Sequence, residues 1–533
     1  MLHRIVWALL LTAPLRANDD AVDRLLDRII EREANFLAQL RLSSPIMETY
    51  IQEQFDNGEA PRNDHYFLGR ASLTSEIGYE AFQSLDVKKP RGRAITFRPR
   101  GFAQMMVPDA TSFHREMYQF EFVRREFLGE IRCLVFDVAP RTPGAQGRFV
   151  GRIWVEDREH SMVRFNGSYT PAKTSRWNAG AELYFSFDSW RVNVRPGRWV
   201  PGYVYVEEKG LAAKNQPNIP RFKAQTRFWG YDPAANGKHS ELTSILIESE
   251  SSVADDAATR QNSPIESQRL WERQAEDNIV ERLSKAGLLA PPGEVDKVLN
   301  TVVSNLIATN DLNVDVQCRV LMTTPLETFS IGRAIVISRG LIDVLPDEAS
   351  LAMVLAGELA HIALGHRTET QYAFSNRTML TDAQVLERFR FERPAAESAE
   401  AGRKTIEYLR NSPYQDKLGN AGLFLQALAS RGAKLPHLVQ ANLGNEFGGG
   451  EMLGRLSELA QAAPALAEGT VEQIAALPLG SRVRVDPYSN QIALMKARPV
   501  ALLSAREKLP FEVTPFVIHL TRAAQNSVRQ ATR

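Results

Sequence analysis

Five stretches between residues 66 and 233 set the tightest limit on the fold. YFLGRASLTSEIGYEAF, EFVRREFLGEIRCLVFDVAP, GRFVGRIWVEDREHSMVRFNGSY, GAELYFSFDSWRVNVRPGRWVPGYVYVEE and RFKAQTRFWGYDP are alternating runs rich in aromatic residues. Gly, Pro, Asn and Asp stand between the runs at turn positions. Successive strand side chains point to opposite faces, so such text suits an antiparallel sheet with one covered face. The series predicts a curved sheet, with a tight hairpin turn at Asp157–His160. Ahead of it, Val22, Leu25, Leu26, Ile29 and Ile30 recur at helical spacing, which predicts a leading helix to about Leu42.

The period then changes. The 533 residues are enough for two domains or three. ESSVADDAATRQNSPIES, residues 250–267, is small and polar and reads as a linker. Helical text follows it. The expected organisation is α+β. Residues 18–250 form an antiparallel β-domain with its leading helix, and 251–267 the linker. Residues 268–440 form a mostly helical domain with a small β element. Residues 441–533 hold a helical segment, about 451–477, and a β extension with a hairpin turn at Asp486–Gln491.

Composition removes several classes. The 64 basic and 63 acidic residues nearly cancel and form no basic stripe, which excludes nucleic acid as a partner. Cys133 and Cys318 lie far apart and point to two buried thiols, not a disulfide scaffold. Residues 1–17, MLHRIVWALLLTAPLRA, have the layout of a secretory signal, with the apolar run Ile5–Leu11 between basic and small residues. No later stretch is apolar for long enough to cross a bilayer. The expectation is an exported chain, periplasmic or secreted, without a transmembrane span once mature.

The most informative helix is ASLAMVLAGELAHIALGH. Asp347 precedes it as a cap. Leu351, Met353, Val354, Leu355, Leu359, Ile362 and Leu364 surround almost its whole circumference, so the helix is buried. Glu358 and His361 therefore lie where polar groups need partners.

The longer phrase PLETFSIGRAIVISRGLIDVLPDEASLAMVLAGELAHIALGH resembles the zinc metallopeptidases of the CAAX-prenyl-protease-like family, which include Oma- and Bep-type proteases. The resemblance covers about residues 268–440. It implies a helix with an H-E-x-x-H motif, two imidazoles on zinc, and a glutamate that takes a proton from water. Here Gly357 replaces the first histidine, Glu358 is the base-equivalent and His361 is the only retained ligand-equivalent. The family's third ligand is a glutamate in a phrase E-x-E-A-D on a later helix. One register of AAESAEAG puts Ser398 there, with Glu400 in the phrase; the other puts Glu397 there and Ala401 at the aspartate. Glu397 and Glu400 are possible substitute ligands. His366, carried roughly 140° around the helix from His361, is expected not to share its ion. His437 lies in a later loop. Glu327, Thr328, Phe329, Ser330 and Ile331 are the expected edge strand on which substrate backbone would lie.

A second resemblance, weaker, rests on GEIRCLVFDVAP, GRIWVEDREHSMVRF and the leading helix. It is to the lipoprotein-carrier fold of the LolA and LolB type, a half-barrel with a helix in its concavity. It implies a groove for lipid or hydrophobic peptide; a filled core is the plain alternative.

One imidazole cannot hold zinc, since a catalytic site needs three protein ligands and an open position. The leading expectation is a pseudopeptidase without a cofactor that binds peptide or protein partners in the cell envelope. The first alternative is an active zinc metalloendopeptidase with an altered ligand set. The second is a lipid or lipoprotein carrier acting through the N-terminal sheet.

Overall fold

The computed structural model describes residues 13–54, 63–74, 77–82, 97–170, 185–208, 221–232, 264–374, 380–432, 434–439, 443–446, 456–467, 482–495 and 511–523. Ten strands form one sheet: β1 (Ile46–Gln54), β2 (Asn63–Leu73), β3 (Ile77–Ala81), β4 (Tyr118–Leu128), β5 (Ile131–Pro140), β6 (Phe149–Glu156), β7 (Met162–Tyr169), β8 (Phe185–Arg195), β9 (Arg198–Glu208) and β10 (Arg221–Trp229). Their order is β3-β2-β1-β10-β9-β8-β7-β6-β5-β4, antiparallel throughout, and the sheet does not close. The turn between β6 and β7 falls at residues 157–160, where His160 takes a left-handed φ of 59°. Gly151 and Gly167 face each other directly across β6 and β7. A Cβ on Gly151 would stand 2.1 Å from the Asn166 carbonyl oxygen, so the backbones approach this closely only without side chains.

Alternation decides what each face meets. Met47 and Ile51 of β1 face a core that includes Leu26, Ile29, Leu37 and Leu40 of α1 (Ala13–Leu40). Ile46 and Tyr50, one residue out of step, join Leu68, Tyr205 and Trp229 in the core of the C-terminal half. The sheet is thus covered on both faces around β1, not on one. Arg191 of β8 pins α1 by donating to both carboxylate oxygens of Glu33, at 2.7 and 2.6 Å, with both side chains buried.

The C-terminal half is mostly helical: α2 (Pro99–Gln104) belongs to the sheet domain, and then follow α3 (Pro264–Lys285), α4 (Glu294–Thr309), α5 (Arg339–Val344), α6 (Glu348–Ala363), α7 (Asp382–Leu386), α8 (Ala395–Arg410) and α9 (Leu418–Gly432). A small sheet of β11 (Gln317–Leu321), β12 (Glu327–Ile331), β13 (Ala334–Ser338) and β14 (Asn445–Glu446) has the order β11-β13-β12-β14. The halves are joined by buried acids of the large sheet. Glu48 accepts from Thr324 Oγ1 at 2.7 Å and Arg339 Nη2 at 3.0 Å. Asp64 accepts from the backbone N–H groups of His437 and Leu438 and pairs with His437 Nδ1 at 2.9 Å.

β15 (Val483–Val485) and β16 (Ile492–Leu494) form the expected hairpin, closed by Asp486 N–H donating to the Gln491 carbonyl. Residues 511–523 then cross the outer face, where Leu520 packs with Trp190, Trp199 and Cys133. Both cysteines are buried free thiols, and burial pushes each up to about 12. The linker differs from expectation at its end, because Pro264 already opens α3; its residues to 263 lie outside the described ones. The run Ile5–Leu11 also lies outside them, as does most of the helical stretch expected over 451–477, of which Ser457–Ala462 is helix. No described helix is long and apolar enough to cross a membrane.

Candidate metal centre

α6 starts where the Asp347 side chain accepts from the Ser350 N–H at 2.8 Å. It is buried along its length and carries Glu358 and His361, each 4% exposed. α8 packs beside it through Ala360, Ala401 and Tyr408. Small residues let the two helices approach, and this brings the first turn of α8 to the end of α6. A Cβ on Gly357 would meet only Thr405 Oγ1, at 3.9 Å. The Gly357 position therefore has room for a Cβ.

The end of α6 makes the site. Leu364 is the last capping residue, and Gly365 turns left-handed with φ 73°. The His366 N–H then donates back to the His361 carbonyl at 3.0 Å. This reversal folds the chain over the helix end. It sets His366 Nδ1 2.9 Å from His361 Nδ1. Glu397, in the first turn of α8, adds a carboxylate oxygen. One ligand atom each from His361, His366 and Glu397 lies within 4.8 Å of the others. Glu397 Oε2 is buried without a hydrogen-bond partner among the described residues. Glu400 is outside the group: its carboxylate lies 3.6 Å from His366 Nε2, on the ring's far side, and is half exposed.

Residues 298–420 match Peptidase family M48. The chain carries a Peptidase family M48 domain. No curated protein matches the chain. Among solved structures, a domain from Vibrio parahaemolyticus described as of the outer membrane lipoprotein-sorting type is 10% identical. It covers 37% of this chain and 89% of its own, with a TM-score of 0.22. A LolA superfamily protein from Nitrosomonas europaea is 9% identical and covers 37% of this chain and 91% of its own, with a TM-score of 0.21. The N-terminal half thus resembles LolA-type folds only weakly, and nothing about its ligand follows.

The M48 domain contains all three clustered residues, and the family is usually zinc-dependent. Two imidazole nitrogens and a carboxylate are a ligand set suited to catalytic zinc. His361 and His366 already meet at 2.9 Å through Nδ1, and Glu397 offers a carboxylate oxygen to the same cluster. One of the two rings donates its Nδ1–H in that contact, and to offer Nδ1 to an ion that ring would take the other tautomer, with its proton on Nε2. The orphaned Glu397 oxygen completes the fit.

Three expectations for the M48 domain need correction. His366 stands in one cluster with His361, against the expectation that it would not share an ion, because it does not continue the helix on which its angle was reckoned; Gly365 was the signal. Of the residues considered for the third ligand, Glu397 is in the cluster, while Ser398 and Glu400 are outside it. Glu327 and Thr328 are not at an edge, since β14 pairs with them in register with Glu446 and Asn445. Farther along β12, the Ser330 carbonyl accepts from Thr368 Oγ1 at 2.9 Å and Arg393 Nη2 at 3.2 Å. Phe329 and Ile331 are buried, with Phe329 stacked on Phe391. His437 is held at the large sheet by Asp64, not at the M48 centre.

Proposed function

We propose that this chain is an M48-type metalloendopeptidase with a relocated ligand, in which His366 supplies the imidazole missing at Gly357. The observation that carries the reading is the convergence of His361, His366 and Glu397 within 4.8 Å. Glu397 and the two histidines would hold the ion. Zinc bound there would supply Lewis acidity for attack of water on a peptide carbonyl. Glu358 lies beside His361 on α6 and is its domain's proton carrier. Its carboxylate takes the proton lost by the attacking water and returns it to the departing amine. Burial of the helix around Glu358 excludes bulk water from that exchange. The apolar run near the N-terminus supports action outside the cytoplasm, on peptide or protein substrates of the cell envelope.

A binding-only protein is the second reading. The glycine at position 357 favours it. Carriage of lipid draws the least support, because α1 fills one face of the sheet and is anchored there by a buried ion pair. One measurement separates the first two readings. The purified full chain should keep about one zinc per molecule through dialysis and cleave denatured casein. His366→Ala should lose both properties. A chain that retains no zinc ends the peptidase reading.

A further inference from the structure

The large sheet ends on an open strand. β4 stands last in the order and, among the described residues, pairs only with β5. A row of unpaired N–H and C=O groups along such an edge is a template for another strand. From Gln119 to Phe127, β4 is exposed except at Phe120, Val123 and Glu126, which are half-buried. Two of its phenylalanines face water, Phe122 at 48% and Phe127 at 68% exposure.

The side chains say which strand fits. β4 carries a bulge at Val123, with Phe122 opposite Phe136 and Arg124 opposite Val135. The extra residue shifts the facing of everything after it. Phe120, Phe122 and Arg125 stand opposite Val138, Phe136 and Leu134, on the face that packs against α1. Glu121, Arg124 and Glu126 share the other face. There Arg124 Nε donates to Glu126 at 2.6 Å, and Trp154 Nε1 donates to Glu126 at 2.9 Å. Now lay a second β4 antiparallel, with Glu121 opposite Arg124. Gln119 then meets Glu126 on the same face, while Phe120 meets Arg125 and Tyr118 meets Phe127 on the α1 face. Each pair occurs twice about a two-fold axis. In a regular strand, residues 121 and 124 would point to opposite faces and this register would fail. The bulge, present in both strands at the same place, removes the conflict. Opposite charges directly across antiparallel strands stabilise the pair, and like charges oppose it.

We propose that β4 is a homodimer interface, in which two copies of this chain join edge to edge through antiparallel β4 strands, Glu121 of each opposite Arg124 of the other. The inference is independent of the metal centre. Charges that elsewhere deter strand pairing here select the partner.

The test is sedimentation velocity of the purified full chain over a wide concentration range, which should show a reversible monomer–dimer equilibrium. Glu121→Arg and Arg124→Glu each turn both opposite-charge pairs into like-charge pairs. Each should raise the dimer dissociation constant about tenfold or more. An equimolar mixture of the two variants should dimerise like the parent, because each reversed charge again meets its opposite. Urea midpoints should stay near that of the parent, since both side chains are exposed. If either variant does not fold, Glu121→Gln removes one charge from each pair and should still weaken the dimer severalfold. A chain that stays monomeric throughout overturns the proposal and leaves β4 to a strand of another protein. A dimer that these changes do not weaken also overturns it, because its contact lies elsewhere. Failure of the mixture to restore dimerisation overturns it too, because Glu121 then does not face Arg124.

Discussion

Arg191 and Arg393 are both buried and both face glutamate, yet their surroundings differ in kind. Arg191 meets one carboxylate through two short hydrogen bonds and lies with its guanidinium 3.8 Å from the Phe36 ring centre. Charge and geometry are matched one to one. Arg393 gives Nη2 to neutral oxygens of Ser330 and Thr368, while three carboxylates surround it electrostatically. Burial holds Glu276 above the usual carboxylate range, and Glu397 Oε2 has no hydrogen-bond partner among the described residues. A matched pair fixes two elements against each other. Beside Arg393, the convergence of His361, His366 and Glu397 is a place where a cation can enter.

The contrast is open to attack at its stronger end first. Glu33→Gln leaves Arg191 as an uncompensated buried charge and should lower the unfolding free energy by about 3–5 kcal/mol in urea titration. Zinc affinity should not change, because α1 lies across the sheet from the M48 domain. A loss of zinc binding in a still-folded Glu33→Gln protein would show that the two regions are not independent. At the other end, His366→Ala removes one of three ligand candidates. It should weaken zinc binding by roughly a hundredfold or more in chelator competition. Its urea midpoint without zinc should stay near that of the parent, since the ring is at the helix end and partly exposed. An unchanged zinc affinity would remove the reason for calling this region functional.

How far each region could be read from text follows from how local its causes are. The strands of the large sheet were legible because alternation is a property of each run, and hairpin neighbours pair in sequence order. The pairing of β1 with β10 and the joint of Glu48 to Arg339 link residues far apart in the chain, and no local pattern signals them. Glu358, His361 and Glu397 were legible as candidates because helical spacing and a resemblance placed them on two helices. His366 was misplaced by continuing α6 past its C-cap Leu364, through a glycine that commonly ends helices. β12 looked like an edge because its cover, β14, lies more than a hundred residues away.

That misplacement suggests the two smallest tests. Gly365 has open space where a Cβ would point, so only its φ of 73° resists substitution. Gly365→Ala should cost about 1 kcal/mol in stability, the ordinary penalty of a left-handed non-glycine residue. Because the same turn carries the His366 ring over His361, zinc affinity should fall severalfold as well, and the two losses should appear together. Glu400→Gln should do less. The Glu400 carboxylate is half exposed and 3.6 Å from His366 Nε2, too long for a hydrogen bond and well screened by solvent. Its effect on zinc affinity should stay below about threefold and shrink further in salt. A large, salt-resistant loss would instead make Glu400 a ligand. The ion would then sit on the outer side of His366, and Glu397 would no longer be needed as a ligand.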